Sequence, residues 1–123
     1  MANHVLLIED EPNIMEAIRF ILSRDGWKVT CHADGATAMA AIQRALPDVV
    51  VLDVMLPNRS GFDILKDLRG DPALKDLPVL MLTAKGQAKD RELAALLGSN
   101  DFMTKPFSNA EVRDRLRAMV RHG

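Results

Sequence analysis

The sequence predicts an α/β protein of one domain, built on a doubly wound, five-stranded parallel sheet with five helices. Three observations carry that expectation. Short apolar runs alternate five times with amphipathic helical patterns. Two of the runs, Val49-Val50-Val51-Leu52 and Val79-Leu80-Met81-Leu82, show no alternation with polar residues, as parallel strands covered by helices on both faces require. The 123 residues contain no proline- or serine-rich linker, internal repeat or low-complexity tract at which a second domain would divide off, so one domain over residues 1–123 is expected. Right-handed crossovers between successive strands then produce the doubly wound sheet.

The first strand is read at Val5–Ile8 and runs through Glu9, Asp10 and Glu11 to Pro12. Proline suits the first turn of a helix, where a backbone N–H would have no partner. Ile14, Ile18, Ile21 and Leu22 then share one helical face, and Gly26 is placed to cap it. The second strand is read at Trp27–Cys31, with Met39, Ile42 and Leu46 as the stripe of the second helix. Val49–Leu52 is the third strand, and Phe62, Leu65 and Leu68 are the stripe that follows it. The fourth strand, Val79–Leu82, leads to a helix marked by Leu93, Leu96 and Leu97 and capped by Gly98. A weak fifth strand at Phe102–Met103 precedes a helix with Val112, Leu116 and Met119 on one side. Gly35, Gly61 and Gly70 mark further boundaries.

Bulk properties exclude several classes. The chain is 48% hydrophobic and 27% charged with a net charge of −1, which offers no electrostatic footprint for nucleic acid or an anionic membrane. Arg113, Arg115, Arg117 and Arg121 read as a solvated helix face that complements the helix dipole. Cys31 is the only cysteine, so no intrachain disulfide forms, and it reads as a small buried apolar residue. His4, His32 and His122 are scattered and are expected at the surface rather than around a metal. No apolar run approaches the ~18 residues of a membrane span. The apolar stretch Val5–Ile8 is too short for a signal peptide, and a cytoplasmic location is expected.

The polar residues at the carboxyl ends of the strands change the picture, because ligands of open α/β sheets bind beyond those ends. The first strand ends in Glu9-Asp10, the third in Asp53, the fourth in Thr83-Ala84 and the fifth in Lys105-Pro106. Each has a plain explanation alone. Asp53 could cap a turn, Glu9 and Asp10 could be solvated, Thr83 is a common strand residue, and Lys105 could be a surface charge. All four explanations would have to hold at once. Three carboxylates, a hydroxyl and an ammonium on one rim suit phosphoryl transfer to a carboxylate. Clustered carboxylates repel, and a hard divalent cation such as Mg²⁺ removes that penalty. A transferring phosphoryl group needs positioning and charge neutralisation more than covalent assistance.

The stretches "VLLIEDEP", "PDVVVLDVMLPNRSGFDIL", "PVLMLTA" and "GSNDFMTKPF" together resemble the receiver domain of two-component response regulators, over essentially the whole chain. The resemblance implies a flavodoxin-like sheet in the order 2-1-3-4-5. It implies a signalling phosphoacceptor that assists its own phosphorylation and dephosphorylation rather than a conventional enzyme. Asp53 would take a phosphoryl group from a phosphohistidine on a histidine kinase or histidine phosphotransfer protein. Mg²⁺ would be held by Asp10 and Asp53, by Glu9 through water, and by the Met55 carbonyl. Lys105, Thr83 and the Ala84 amide would bind the phosphoryl oxygens, and the Lys105–Pro106 peptide would be cis.

Pro57 and Gly61 would shape the loop after the acceptor. Thr83 and Phe102 would form the switch, with Phe102 standing where tyrosine is commoner and lacking its hydroxyl. Met55 and Lys85 would tune phosphate lifetime. Asn100 before Asp101 departs from an acidic pair used by some relatives for surface salt bridges. The signal would leave through the fourth helix, fifth strand and fifth helix, from about Lys89 to Val120, to a downstream protein target, with no direct contact to nucleic acid. Two rivals are weaker. A phosphatase of the haloacid-dehalogenase type needs an acid two residues after its nucleophile, where this chain has Met55. A nucleotide-binding module needs a glycine-rich phosphate loop where this chain has "EDEPN". A receiver used only as a scaffold would not need the intact acidic rim.

Overall fold

Every apolar run read as a strand forms one in the computed structural model, which describes residues 3–84 and 88–120. The elements are β1 (His4–Ile8), α1 (Pro12–Arg24), β2 (Lys28–His32), α2 (Ala38–Ala45), β3 (Val49–Asp53), α3 (Gly61–Gly70), β4 (Val79–Ala84), α4 (Ala88–Leu96), β5 (Asp101–Lys105) and α5 (Asn109–Val120). A single 3₁₀ turn, Gly35–Thr37, precedes α2. The strands are all parallel in the order β2-β1-β3-β4-β5.

The sheet is buried on both faces. Val5, Leu7, Val49, Val51, Leu80 and Leu82 pack with Ile18 and Leu22 of α1 and Val112 and Leu116 of α5. The alternate residues, Leu6, Ile8, Val50, Leu52, Val79 and Met81, pack with Ile42 of α2, Ile64, Leu65 and Leu68 of α3 and Ala94 of α4. Strand β3 is buried at all five positions, which explains its unbroken apolar spelling. Proline opens α1 as expected, and the Ser60 hydroxyl caps α3 by accepting from the Phe62 N–H at 3.1 Å. Gly26 and Gly98 end their helices at positive φ, 88° and 98°, a region where a side chain is strained.

Several readings need correction. Leu46 lies outside the α2 stripe: the helix stops at Ala45, and Leu46 turns to a left-handed φ of 47° and is exposed. Leu93 and Leu96 are exposed too, whereas Ala94 is fully buried and Leu97 packs against the core. The inward side of α4 therefore carries Asp90 and Ala94, four residues apart, and continues into Leu97 just past the helix, rather than running along Leu93 and Leu96. Trp27 precedes β2 instead of starting it, and its indole N–H donates to Asp25 at 3.2 Å. Cys31 is half-buried rather than enclosed.

His4 and His32 are half-buried and hydrogen-bonded to Thr30 and Thr37. The α5 arginines are paired rather than merely solvated. Arg113 meets Asp114, Arg115 meets Asp101 and Glu111, and Arg117 meets Asp25. Lys85, Arg121 and His122 lie outside the described residues. No helix among the described residues is long and apolar enough to cross a membrane.

Candidate functional site

Parallel strands in register bring their carboxyl ends to one rim. Ile8 pairs with Leu52, Asp53 with Leu82, Thr83 with Thr104 and Ala84 with Lys105. The residues that follow or end these strands, Glu9 and Asp10, Asp53, Thr83 and Lys105, consequently share one site. Asp53 is 1% exposed and Glu9 is fully buried, while Asp10 faces solvent. Each of these three acids offers a carboxylate oxygen, and the three oxygens lie within 4.8 Å of one another.

Among the described residues, one cation answers two of these three acids. The Lys105 Nζ lies 3.0 Å from Glu9 Oε2, 3.3 Å from Asp53 Oδ2 and 3.3 Å from Glu11 Oε1. Glu11 was not among the residues singled out from sequence; it stood in the acidic run but had no assigned role. Glu9 Oε1 accepts from the Glu11 N–H at 3.1 Å, and Asp53 Oδ1 accepts from the Met55 N–H at 3.3 Å. Glu9 Oε2 sits at ion-pair distance from Lys105 without hydrogen-bond geometry. Among the described residues it is the buried side-chain oxygen with no hydrogen-bond partner.

Burial, and then the neighbouring Asp53 charge, push the Glu9 carboxyl up to about 7, against the pull of Glu11 N–H and Lys105. Burial works against the Lys105 charge, but Glu9 and Asp53 outweigh it and raise the ammonium above its ordinary value. Among its described residues the site is thus short of positive charge. Its donors are all oxygen, and its buried oxygen is unsatisfied, so the residues fit a hard divalent cation of the Mg²⁺ kind.

The loop after Asp53 is held from two sides. Gly61 stands so close to the Asp53 carbonyl that a Cβ there would overlap it, and its N–H donates to the Val54 carbonyl at 3.0 Å. Gly35 likewise has no room for a side chain against the Pro57 and Arg59 carbonyls. Asp34 accepts from Asn58 Nδ2 and from the Ala36 N–H, both at 2.9 Å. The Lys105–Pro106 peptide is cis.

On the other side of Asp53, Thr83 is 1% exposed and its hydroxyl donates to Asp90 Oδ2 at 2.9 Å. Phe102 is turned into the core, and the Arg91 guanidinium lies over its ring, 5.4 Å from the centroid. Neither Asp90 nor Arg91 was legible as a partner from sequence, because the leucine stripe pointed to a different rotation of α4. Asn100, which replaces an acid expected from the resemblance, accepts from Arg69 at 2.9 Å and from the Val79 N–H at 2.8 Å. Asp101 meets Arg115 of its own chain at 2.7 Å.

Comparison with known proteins agrees with this arrangement. The family model for the response regulator receiver domain matches residues 5–117. The probable transcriptional regulatory protein TcrX of Mycobacterium tuberculosis is 49% identical over 117 residues, covering 95% of this chain and 49% of that protein. Among solved structures, a putative response regulator from Chloroflexus aurantiacus superimposes with a TM-score of 0.94 at 31% identity, covering 98% of this chain and 99% of that one. The receiver domain of the sensor histidine kinase PA1611 from Pseudomonas aeruginosa, solved with a magnesium ion coordinated in its active-site cleft, has a TM-score of 0.89 at 30% identity, covering 98% and 99%. The chain spans about half the length of the curated relatives it matches. It belongs to the response regulator receiver domain family, whose members accept a phosphoryl group on an aspartate.

Proposed function

We propose that Asp53 is the phosphoryl acceptor of this receiver and that its donor is a phosphohistidine on a histidine kinase or histidine phosphotransfer protein. The observation that carries the reading is the Asp53 carboxylate itself, 1% exposed, 3.3 Å from the Lys105 ammonium and grouped with Glu9 and Asp10 at the strand ends. In the transfer, an Asp53 oxygen forms a bond to phosphorus as the phosphorus–nitrogen bond breaks. The electron pair stays on the imidazole nitrogen, and the proton on the other ring nitrogen leaves that imidazole neutral.

Lys105 answers the charge on the phosphoryl oxygens, and the Thr83 hydroxyl and Ala84 N–H donate to them. Glu9, Asp10, Asp53 and the Met55 carbonyl would hold Mg²⁺, a reading supported by the unsatisfied Glu9 oxygen and by the magnesium in the PA1611 cleft. When bound, the ion supplies charge neutralisation at those oxygens. Thr83 and Phe102 form the switch, and the signal leaves through α4, β5 and α5 to a downstream protein surface. The location that suits such a partner kinase is the cytoplasm.

Incubation with acetyl phosphate and Mg²⁺ should add one acid-stable, base-labile phosphoryl group that Asp53→Asn does not acquire. Mapping of the label to Thr83 or Ser60 by mass spectrometry would overturn the assignment.

A further inference from the structure

Thr83 has one hydroxyl proton, and it is already committed. The hydroxyl donates to Asp90 Oδ2 at 2.9 Å, in an environment where Thr83 is 1% exposed. A phosphoryl group on Asp53 would present only acceptor oxygens, so Thr83 could serve it only by withdrawing that proton from Asp90. Two anions thus compete for one donor. The present holder is a carboxylate, and hydrogen bonds to ionised acceptors are roughly twice as strong as neutral ones.

The position of Asp90 follows from how α4 is turned. Its inward side carries Asp90 and Ala94, and Ala94 is the residue of this helix that is fully buried. An acid on the inward face needs a donor to offset its loss of water, and Thr83 supplies one. The next residue, Arg91, lies over Phe102. Successive residues of one helical turn therefore grip the two switch side chains.

We infer that Asp90 is a resting-state latch, a positioning residue that holds the Thr83 hydroxyl away from the acceptor and so limits how tightly a phosphoryl group engages the site. The inference rests on the reading of Asp53 as acceptor. Redirection of the Thr83 hydrogen bond leaves the Asp90 carboxylate without that donor, beside a newly arrived dianion at the same rim. Repulsion then acts on the first turn of a helix that little apolar burial holds in place, and Arg91 carries the displacement to Phe102.

Beryllofluoride with Mg²⁺ is the probe, titrated calorimetrically against the full chain. Asp90→Ala should bind it about tenfold more tightly than the unsubstituted protein, the scale of a hydrogen bond to a charged group. Asp90→Asn retains an acceptor oxygen and should give about threefold. Removing a nearby negative charge would also favour an anion, so the same substitutions are made in a Thr83→Ala background. There the latch has nothing to hold, and Asp90→Ala should change affinity less than about twofold.

Equal tightening in both backgrounds would overturn the latch in favour of bulk charge, as would Asp90→Asn matching Asp90→Ala. No tightening by either variant would overturn it outright. Failure of the unsubstituted protein to take up beryllofluoride would instead bring down the acceptor reading, and the latch with it.

Discussion

The rim has two halves, and they are built on different terms. In the acceptor half, named for the role proposed for Asp53, the side chains of Glu9 and Asp53 are buried while the loop that follows is largely exposed: Gly61 rests against the Asp53 carbonyl, and α3 plants Ile64, Leu65 and Leu68 in the core with no exposure. The reporting half, Thr83, α4 and Phe102, is held by a hydroxyl, a stacked guanidinium and one buried alanine. Helices α3 and α4 are both marked by an apolar stripe in sequence, yet the stripe of α3 is docked while Leu93 and Leu96 of the other are exposed and Leu97 alone packs against the core. On the proposed reading, chemistry that needs fixed geometry would sit on the well-packed half. Movement would be left to the half with few buried contacts, where local rearrangement costs least.

The contrast can be tested from its largest consequence downward. Leu65→Ala should destabilise the fold by ~2–5 kcal/mol in urea titration, through lost burial and a cavity in the α3 face. A cost near that of an α4 surface substitution would erase the distinction.

Charge is the next largest effect. Glu9 holds its proton up to about pH 7 when folded, against an ordinary value of 4.5. Between those values the folded protein binds more protons than the unfolded chain, so metal-free stability should fall as pH rises from about 4.5 to about 7 and then level off. Lys105, also raised, contributes stability that is lost only as pH climbs through its own higher value. Glu9→Gln should flatten the acidic slope and raise metal-free stability at pH 8, by an amount on the order of a few kcal/mol. It should also reduce the thermal stabilisation expected of Mg²⁺ in the unsubstituted protein. A pH slope that survives in Glu9→Gln would place the buried proton elsewhere.

On the reporting half the effects shrink. Arg91→Ala should cost about 0.5–1 kcal/mol, the scale of a cation–π contact at a partly exposed site, with ring resonances of Phe102 shifting in NMR spectra. Unmoved Phe102 resonances would mean that α4 and β5 are not tied by this pair. Leu96→Ala should change stability by no more than about 0.5 kcal/mol, since Leu96 is 83% exposed. A loss approaching that of Leu65→Ala would show α4 docked along its leucines after all.

The same contrast explains what could be read before folding was known. The acceptor half was legible because its signals are local: a strand spelled in consecutive apolar residues, then an acid, then a proline or glycine that shapes a turn. Glu9, Asp10, Asp53, Thr83 and Lys105 all stand at strand ends, and parallel register does the rest. The stripes of α1 and α3 were legible for the same reason. Leu46 misled because a hydrophobic residue at the right spacing can fall beyond the helix, on a left-handed cap. Leu93 and Leu96 misled because spacing specifies that a stripe exists and not that it is the face turned inward.

From the chain alone came the five β–α units, the doubly wound sheet and the acids, hydroxyl and lysine brought to one rim. These follow from periodicity and from the rule that parallel strands end on one side, both properties of neighbouring residues. Tertiary structure alone decided the rotation of α4 about its axis, the placing of Asp90 on Thr83, and the sharing of one lysine among Glu9, Glu11 and Asp53. Those contacts depend on how a helix seats between a sheet and its neighbours. Each residue turns the helix by about 100°, so the rotation fixed by the packing of Ala94, rather than of Leu93 and Leu96, determines whether an acid or an apolar side chain meets Thr83.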